Sequence, residues 1–280
     1  ENSAMYKMHY APSDYGIGMN SGDVTAWNKT ITDASGDKID NGGSFRAPFG
    51  ATYIEPNGRR ESNDSTKISY FTPRFGFEGN GDGFQLGVSY APDGKQDSNA
   101  MPNRDDVNSD FVMVGANWKQ KMGGMSVKIS GGYGTVTDTR EAPGDGTDTA
   151  DEPEAMNFGI VLGVGGLSGG VSYANHSDHG ADDAEGINAG VAYAQDGWGI
   201  SLAYFHGEKD GARPDGTPAS LIGQAESDVI HLSGKYAMGP GVTLAGTLGH
   251  SEYTSKDAAL DNTVDEVSAT YLVMGLKVGF

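Results

Sequence analysis

The sequence predicts an all-β fold, a transmembrane antiparallel up-and-down β-barrel, on three observations. Apolar side chains alternate with small polar ones at a period of two almost everywhere after position 65. The alternating segments are joined by short and long connections in turn. Tyrosine or tryptophan stands at their ends, on the apolar face.

Eleven strands follow from the alternation, over about 65–74, 83–91, 109–118, 124–134, 155–164, 166–175, 185–194, 197–206, 227–237, 241–252 and 265–280. "FQLGVSY" sets Phe84, Leu86, Val88 and Tyr90 against Gln85, Gly87 and Ser89. "SVKISGGY" sets Val127, Ile129 and Tyr133 against Lys128, Ser130 and Gly132. "MNFGIVLGV", "INAGVAY", "WGISLAY" and "VTLAGTL" repeat the pattern, and the last strand carries Leu272, Met274, Leu276, Val278 and Phe280 on every second position. Helical spacing is not sustained anywhere. The short connections are "KQKMGG" (119–124), "GVGG" (163–166), "QDG" (195–197) and "MGPG" (238–241), with a longer one near 75–82. The long ones, about 92–108, 135–154, 176–184, 207–226 and 253–264, are rich in Asp, Gly, Pro and Asn. This regular exchange is what an antiparallel meander gives when its two ends face different surroundings.

The faces decide between a membrane barrel and a soluble sandwich. One is large and apolar and ends in Tyr70, Tyr90, Trp118, Tyr133, Tyr173, Tyr193, Trp198, Tyr204 and Tyr236, an aromatic girdle suited to the headgroup level. The other is Gly, Ser, Ala, Asn and Thr. A closed sheet satisfies every backbone hydrogen bond within hydrocarbon, so the apolar face meets the lipid bilayer and the small face a wet lumen. The parity also places Lys67, Lys128, Lys235 and Lys277 on the lumen face, away from lipid. Arg74 has the opposite parity, and the neighbouring Pro73 puts it in a turn.

Composition sets the outer bounds. The 280 residues include 44 glycines and no cysteine, and the formal net charge is -19. Disulfides and thiolate metal sites are excluded, and so much negative charge argues against nucleic acid. No apolar run reaches the eighteen residues that mark a membrane helix. The opening "ENSAMYKMHY" has neither the basic nor the apolar part of a signal peptide.

Residues 1–64 lack sustained alternation and are too long for an ordinary connection. They hold Tyr6, Tyr10, Tyr15, Trp27, Phe45, Phe49 and Tyr53. A segment so aromatic must pack, and a lumen lined with small residues offers the space. The expected organisation is a single domain, with 1–64 folded into the pore as a constriction loop and 65–280 forming the barrel strands.

"STKISYFTPRF…GFQLGVSYAPD" (65–93), "MHYAPSDYGIG" (8–18) and the terminal strand ending in Phe280 resemble the trimeric general porins of alphaproteobacterial outer membranes. The resemblance implies a sixteen-stranded barrel in a homotrimer and a third external loop bent inward after the fifth strand. It also implies a terminal Phe280 read by the barrel-assembly machinery. Residues 1–64 resemble that loop, eleven strands follow it, and the family's first five would precede residue 1.

The expected constriction is built from Asp14, Asp23, Asp33, Asp37, Asp40 and Glu55, opposed by Arg46, Arg59, Arg60 and Lys67. Opposed charges across a narrow gap give a transverse field that favours polar solutes. Lys128, His231, Lys235 and Lys277 line the wall, and the net charge suggests a mild cation preference. The expected function is passive diffusion of small hydrophilic solutes and ions. The alternative is a structural barrel plugged by its own loop, anchoring partners or lipopolysaccharide.

Other motifs read more simply. "GVGGLSGG" (163–170) precedes a strand, not a helix, so it is a hairpin turn; its small residues also suit protomer contacts. "HSDHGADD" (176–183) reads as a solvated loop, with a metal as the competing reading. No cofactor is expected, although the seven carboxylates of "TDTREAPGDGTDTADEPE" (137–154) suit Ca or Mg bridging to lipopolysaccharide. His231 with Ser233 two residues on is the nearest approach to a hydrolytic set, and it reads as a polar pore lining; no enzyme activity is expected.

Overall fold

The computed structural model describes residues 3–16, 65–76, 81–93, 109–138, 153–177, 184–210, 224–257 and 263–279. A short helix α1 (Ala4–Met8) precedes β1 (Ile68–Phe71), β2 (Phe75–Gly76), β3 (Gly83–Asp93), β4 (Ser109–Met122), β5 (Met125–Asp138) and β6 (Glu154–Val164). Then come β7 (Leu167–Ser177), β8 (Ala184–Gln195), β9 (Trp198–Asp210), β10 (Gln224–Gly239), β11 (Val242–Asp257) and β12 (Thr263–Val278). All twelve strands form one sheet in chain order, with β1 and β2 both on β3 and β12 at the far edge. Every pairing is antiparallel. Among the described residues the sheet is not closed on itself.

The first expected strand, 65–74, is observed as β1 alone, and the two-residue β2 lies in the expected connection near 75–82, so the described residues hold twelve strands where eleven were expected. Pro73 has no N–H to give to the ladder, and pairing stops after the Thr72 N–H reaches Leu86 O at 2.9 Å. Arg74 lies in this break, as its neighbour predicts, and its guanidinium reaches the small-residue face. There it donates to Gly83 O at 2.7 Å, Gln85 Oε1 at 3.0 Å and Asn117 Oδ1 at 2.8 Å. Several strands run past their expected ends. In β10 and β11, Glu226 still pairs with Thr254. Both faces are polar there, so alternation fades while backbone pairing continues.

Four of the short connections are two-residue turns. Gly123–Gly124, Gly165–Gly166 and Asp196–Gly197 have positive φ at both positions, the hand that matches strand twist.

The apolar face is open. Phe84, Leu202 and Leu276 are 45%, 45% and 60% exposed, with no second sheet over them among the described residues. The nine expected aromatic residues lie on this face, eight of them in two tiers and Tyr70, registered with Val88, between the tiers. Tyr90, Tyr133, Tyr173 and Tyr204 stand toward the long loops, and Trp118, Tyr193, Trp198 and Tyr236 toward the short turns. Six residues separate Trp198 from Tyr204, about 20 Å of strand, close to the apolar height of an outer-membrane barrel. An apolar surface this continuous requires lipid rather than water. A variant retaining Trp198 as its single tryptophan is expected to be strongly quenched by brominated acyl chains; unquenched emission would contradict a lipid-facing ring.

The long-loop tier has a repeated construction. Tyr90 is registered with Val112, Tyr133 with Met156, Tyr173 with Ile187 and Tyr204 with Ile230. Each hydroxyl donates diagonally to a carboxylate two residues nearer the loop: Asp110, Glu154, Glu185 and Asp228. Every one of these hairpins is thus fastened across its mouth on the lipid side. His206 adds contacts to Asp228 at 3.0 Å and Glu208 at 3.1 Å.

Candidate functional site

The small-residue face is crossed by residues 3–16, which lie as a strap over the strands. Ser3 caps α1, accepting from the Tyr6 N–H at 3.3 Å. Met5 of that turn joins Phe111, Met113, Val136, Ala91, Ala155 and Ala174 in one small buried apolar cluster. The chain then continues extended. Free N–H groups of an extended segment need acceptors, and serines of the wall supply them. Tyr10 N donates to Ser130 Oγ at 2.8 Å and Tyr15 N to Ser201 Oγ at 3.0 Å, and at the start of α1 the unpaired Ala4 N–H donates to Ser89 Oγ at 2.8 Å. Amides of the wall donate in return, Asn117 to Met8 O at 3.1 Å and Asn157 to Met5 O at 3.4 Å.

Close approach explains why the face is poor in side chains. A Cβ on Gly159 would lie 1.7 Å from Tyr10 O, and one on Gly115 2.5 Å from Ala4 O. Only glycine admits backbone to backbone at these two positions.

The far end of the strap is pinned by charge. Asp14 Oδ2 meets His231 Nδ1 at 3.1 Å, with both side chains buried. His231 Nε2 meets Tyr271 Oη at 2.7 Å, and Ser251 Oγ donates to the same oxygen at 3.1 Å. Burial pushes the Asp14 carboxyl up, but hydrogen bonds from His231, Ser233 and the Gly16 N–H outweigh it and hold it below the ordinary carboxylate value. This is not hydrolytic geometry: the second nitrogen of His231 is engaged by Tyr271, and Ser233 Oγ bonds Thr247 Oγ1 at 2.9 Å.

Cations fringe the strap on its short-turn side. Lys128 Nζ lies 5.7 Å from the Tyr10 ring centre and Lys235 Nζ 3.8 Å from that of Tyr15. Lys277 Nζ donates to Gly16 O at 2.9 Å.

A family model described as Gram-negative porin matches residues 1–256. The chain belongs to the Gram-negative porin family. It is an outer-membrane channel protein of porin type, which accounts for a lipid-facing band on one side of the sheet and a small-residue wall on the other. Comparison with curated proteins finds no match. Among solved structures, this porin resembles the outer-membrane OmpT of Vibrio cholerae at 14% identity and a TM-score of 0.47, over 85% of this chain and 71% of that one. It also resembles an anion-selective porin from Comamonas acidovorans at 16% identity and a TM-score of 0.42, over 76% of this chain and 57% of that one.

Of the expected site residues, the structure brings Asp14, Lys128, His231, Lys235 and Lys277 to the strap and its wall. Asp14 differs from its expected role: it faces the wall as an anchor, not the open lumen. Lys67 is half-buried just before β1. Asp23, Asp33, Asp37, Asp40, Arg46, Glu55, Arg59, Arg60 and Phe280 lie outside the described residues, as do most of the acidic stretch 137–154 and His179, Asp182 and Asp183 of the His–Asp motif. His176 is buried in β7. No group of three or more His, Asp or Glu suited to a metal occurs among the described residues. Sequence reasoning missed Ser89, Ser130, Ser201 and Tyr271. Their only signal was a serine or tyrosine at mid-strand with lumen parity.

Proposed function

We propose that this porin is a passive channel for small hydrophilic solutes and ions, with residues 1–64 setting its size limit. The observation that carries the reading is the strap: residues 3–16 lie on the small-residue face, hydrogen-bonded to Ser89, Ser130 and Ser201. A segment held there narrows a lumen without interrupting the sheet. The barrel acts in a homotrimer, as the family resemblance implies. Its selectivity follows from the charges that permeating ions meet. The mild cation preference expected from the net charge rests, in this reading, on Asp23, Asp33, Asp37, Asp40 and Glu55 of the loop. The strand carboxylates bound to tyrosine lie instead on the outer face beside the long loops and are screened from the pore.

Purified protein in a planar bilayer is expected to give stepwise, ohmic single-channel currents and a reversal potential modestly in favour of K⁺. A closed bilayer that conducts only after deletion of 20–60 would instead identify a plugged structural barrel.

A further inference from the structure

Among the strand residues whose side chains are described, the charges of the wall are sorted by face. Asp110, Glu154, Glu185, Glu208, Glu226, Asp228 and Glu252 all share the parity of the lipid-facing residues and stand near the long loops. Arg74, Lys119, Lys128, Lys235 and Lys277 reach the opposite face, on the short-turn side of the strap. Lys119 and Lys128 are directly opposed across β4 and β5, an arrangement of like charges that costs stability unless an anion lies between them.

The partners of four of these cations are uncharged. Arg74 is held by a carbonyl and two side-chain amides, Lys128 and Lys235 by tyrosine faces, and Lys277 by the Gly16 carbonyl. Neutral partners fix the direction of a cation without cancelling its field. Among the described residues none of these five forms an ion pair with a carboxylate. Asp14 is taken by His231, and Asp82, in the turn before β3, accepts from the Lys121 N–H at 3.1 Å.

We infer that this tier is an anion-binding stage of the lumen, on the short-turn side of the strap, suited to small oxyanions of the phosphate class. Rings of Lys and Arg act in this way in anion and phosphate pores. The stage is local and runs opposite to the net charge of the chain. It rests on the reading of the barrel as a channel.

The test is single-channel recording in KCl with inorganic phosphate added to one side at a time. Phosphate is expected to reduce the open current saturably, more strongly from one side than from the other. The triple variant K128Q/K235Q/K277Q is expected to need at least tenfold more phosphate for the same fractional block, relative to its own open current. The corresponding triple arginine variant is expected to retain the block, which separates charge from support of the strap. Acetate in place of phosphate reads the carboxylate arm: a block by both assigns the stage to oxyanions in general, a block by phosphate alone to phosphates. Channels that conduct but show no saturable block, or an equal block in the glutamine variant, overturn the inference. Loss of all conductance in the wild type counts against the channel reading instead.

Discussion

Replacing Gly159 with valine is expected to lift the strap from the wall and raise the single-channel current. The new Cβ would fall 1.7 Å from Tyr10 O and 2.9 Å from its carbonyl carbon. Both atoms are backbone, so no side-chain rotation relieves the clash. Overpacking of this kind costs about 1–3 kcal/mol. It also breaks the bond from Tyr10 N to Ser130 Oγ and carries the Tyr10 ring away from Lys128. Polyethylene glycols too large for the wild-type channel are expected to enter the variant. Gly131 provides the control, since it lies one strand away with the opposite parity and its Cβ would meet nothing nearer than 3.8 Å. Valine there is expected to leave current and size limit unchanged. If Gly159→Val shows the wild-type current and the same polymer cut-off, the strap does not narrow the pore.

The second large effect is expected at the other end of the strap. Asp14→Ala leaves a buried His231 nitrogen without its acceptor, a loss of about 1–3 kcal/mol, and the strap end is expected to flicker in the current trace at pH 7. Acid should reproduce this in the wild type within a defined window. The Asp14 carboxyl is held below its ordinary value of 3.8. A depressed carboxylate contributes stability that is complete above the ordinary value and is lost as pH falls through the depressed one. Flicker is therefore expected below pH 3.8 and not between pH 7 and pH 4.5 from this group. Asp14→Asn should flicker at every pH. A quiet trace from both variants at neutral pH would remove Asp14 from the anchoring of the strap.

The strands were legible because their two faces lie in different media. Lipid excludes charge and a wet lumen tolerates it, so the parity of Lys128, Lys235 and Lys277 could be read directly. The break at Pro73 was marked by a residue that cannot donate. Strand ends were not legible, because around Glu226 and Thr254 neither face is apolar and the alternation has no contrast. Asp14 was misjudged for a related reason. It looks like any pore-lining acid, and its partner is 217 residues away. Ser130 and Gly159 gave no signal beyond their lumen parity, since their value lies in what crosses above them. A period of two fixes which way a side chain points and not which part of the chain lies over it.

The diagonal bonds from Tyr90, Tyr133, Tyr173 and Tyr204 close each hairpin before its loop begins. An insertion or deletion beyond such a bond pulls on a fastened pair of strands and is not passed down to the strap. Surface loops are where sequence changes fastest. Each one here is therefore free to drift or be grafted independently, while the bore it surrounds keeps its dimensions.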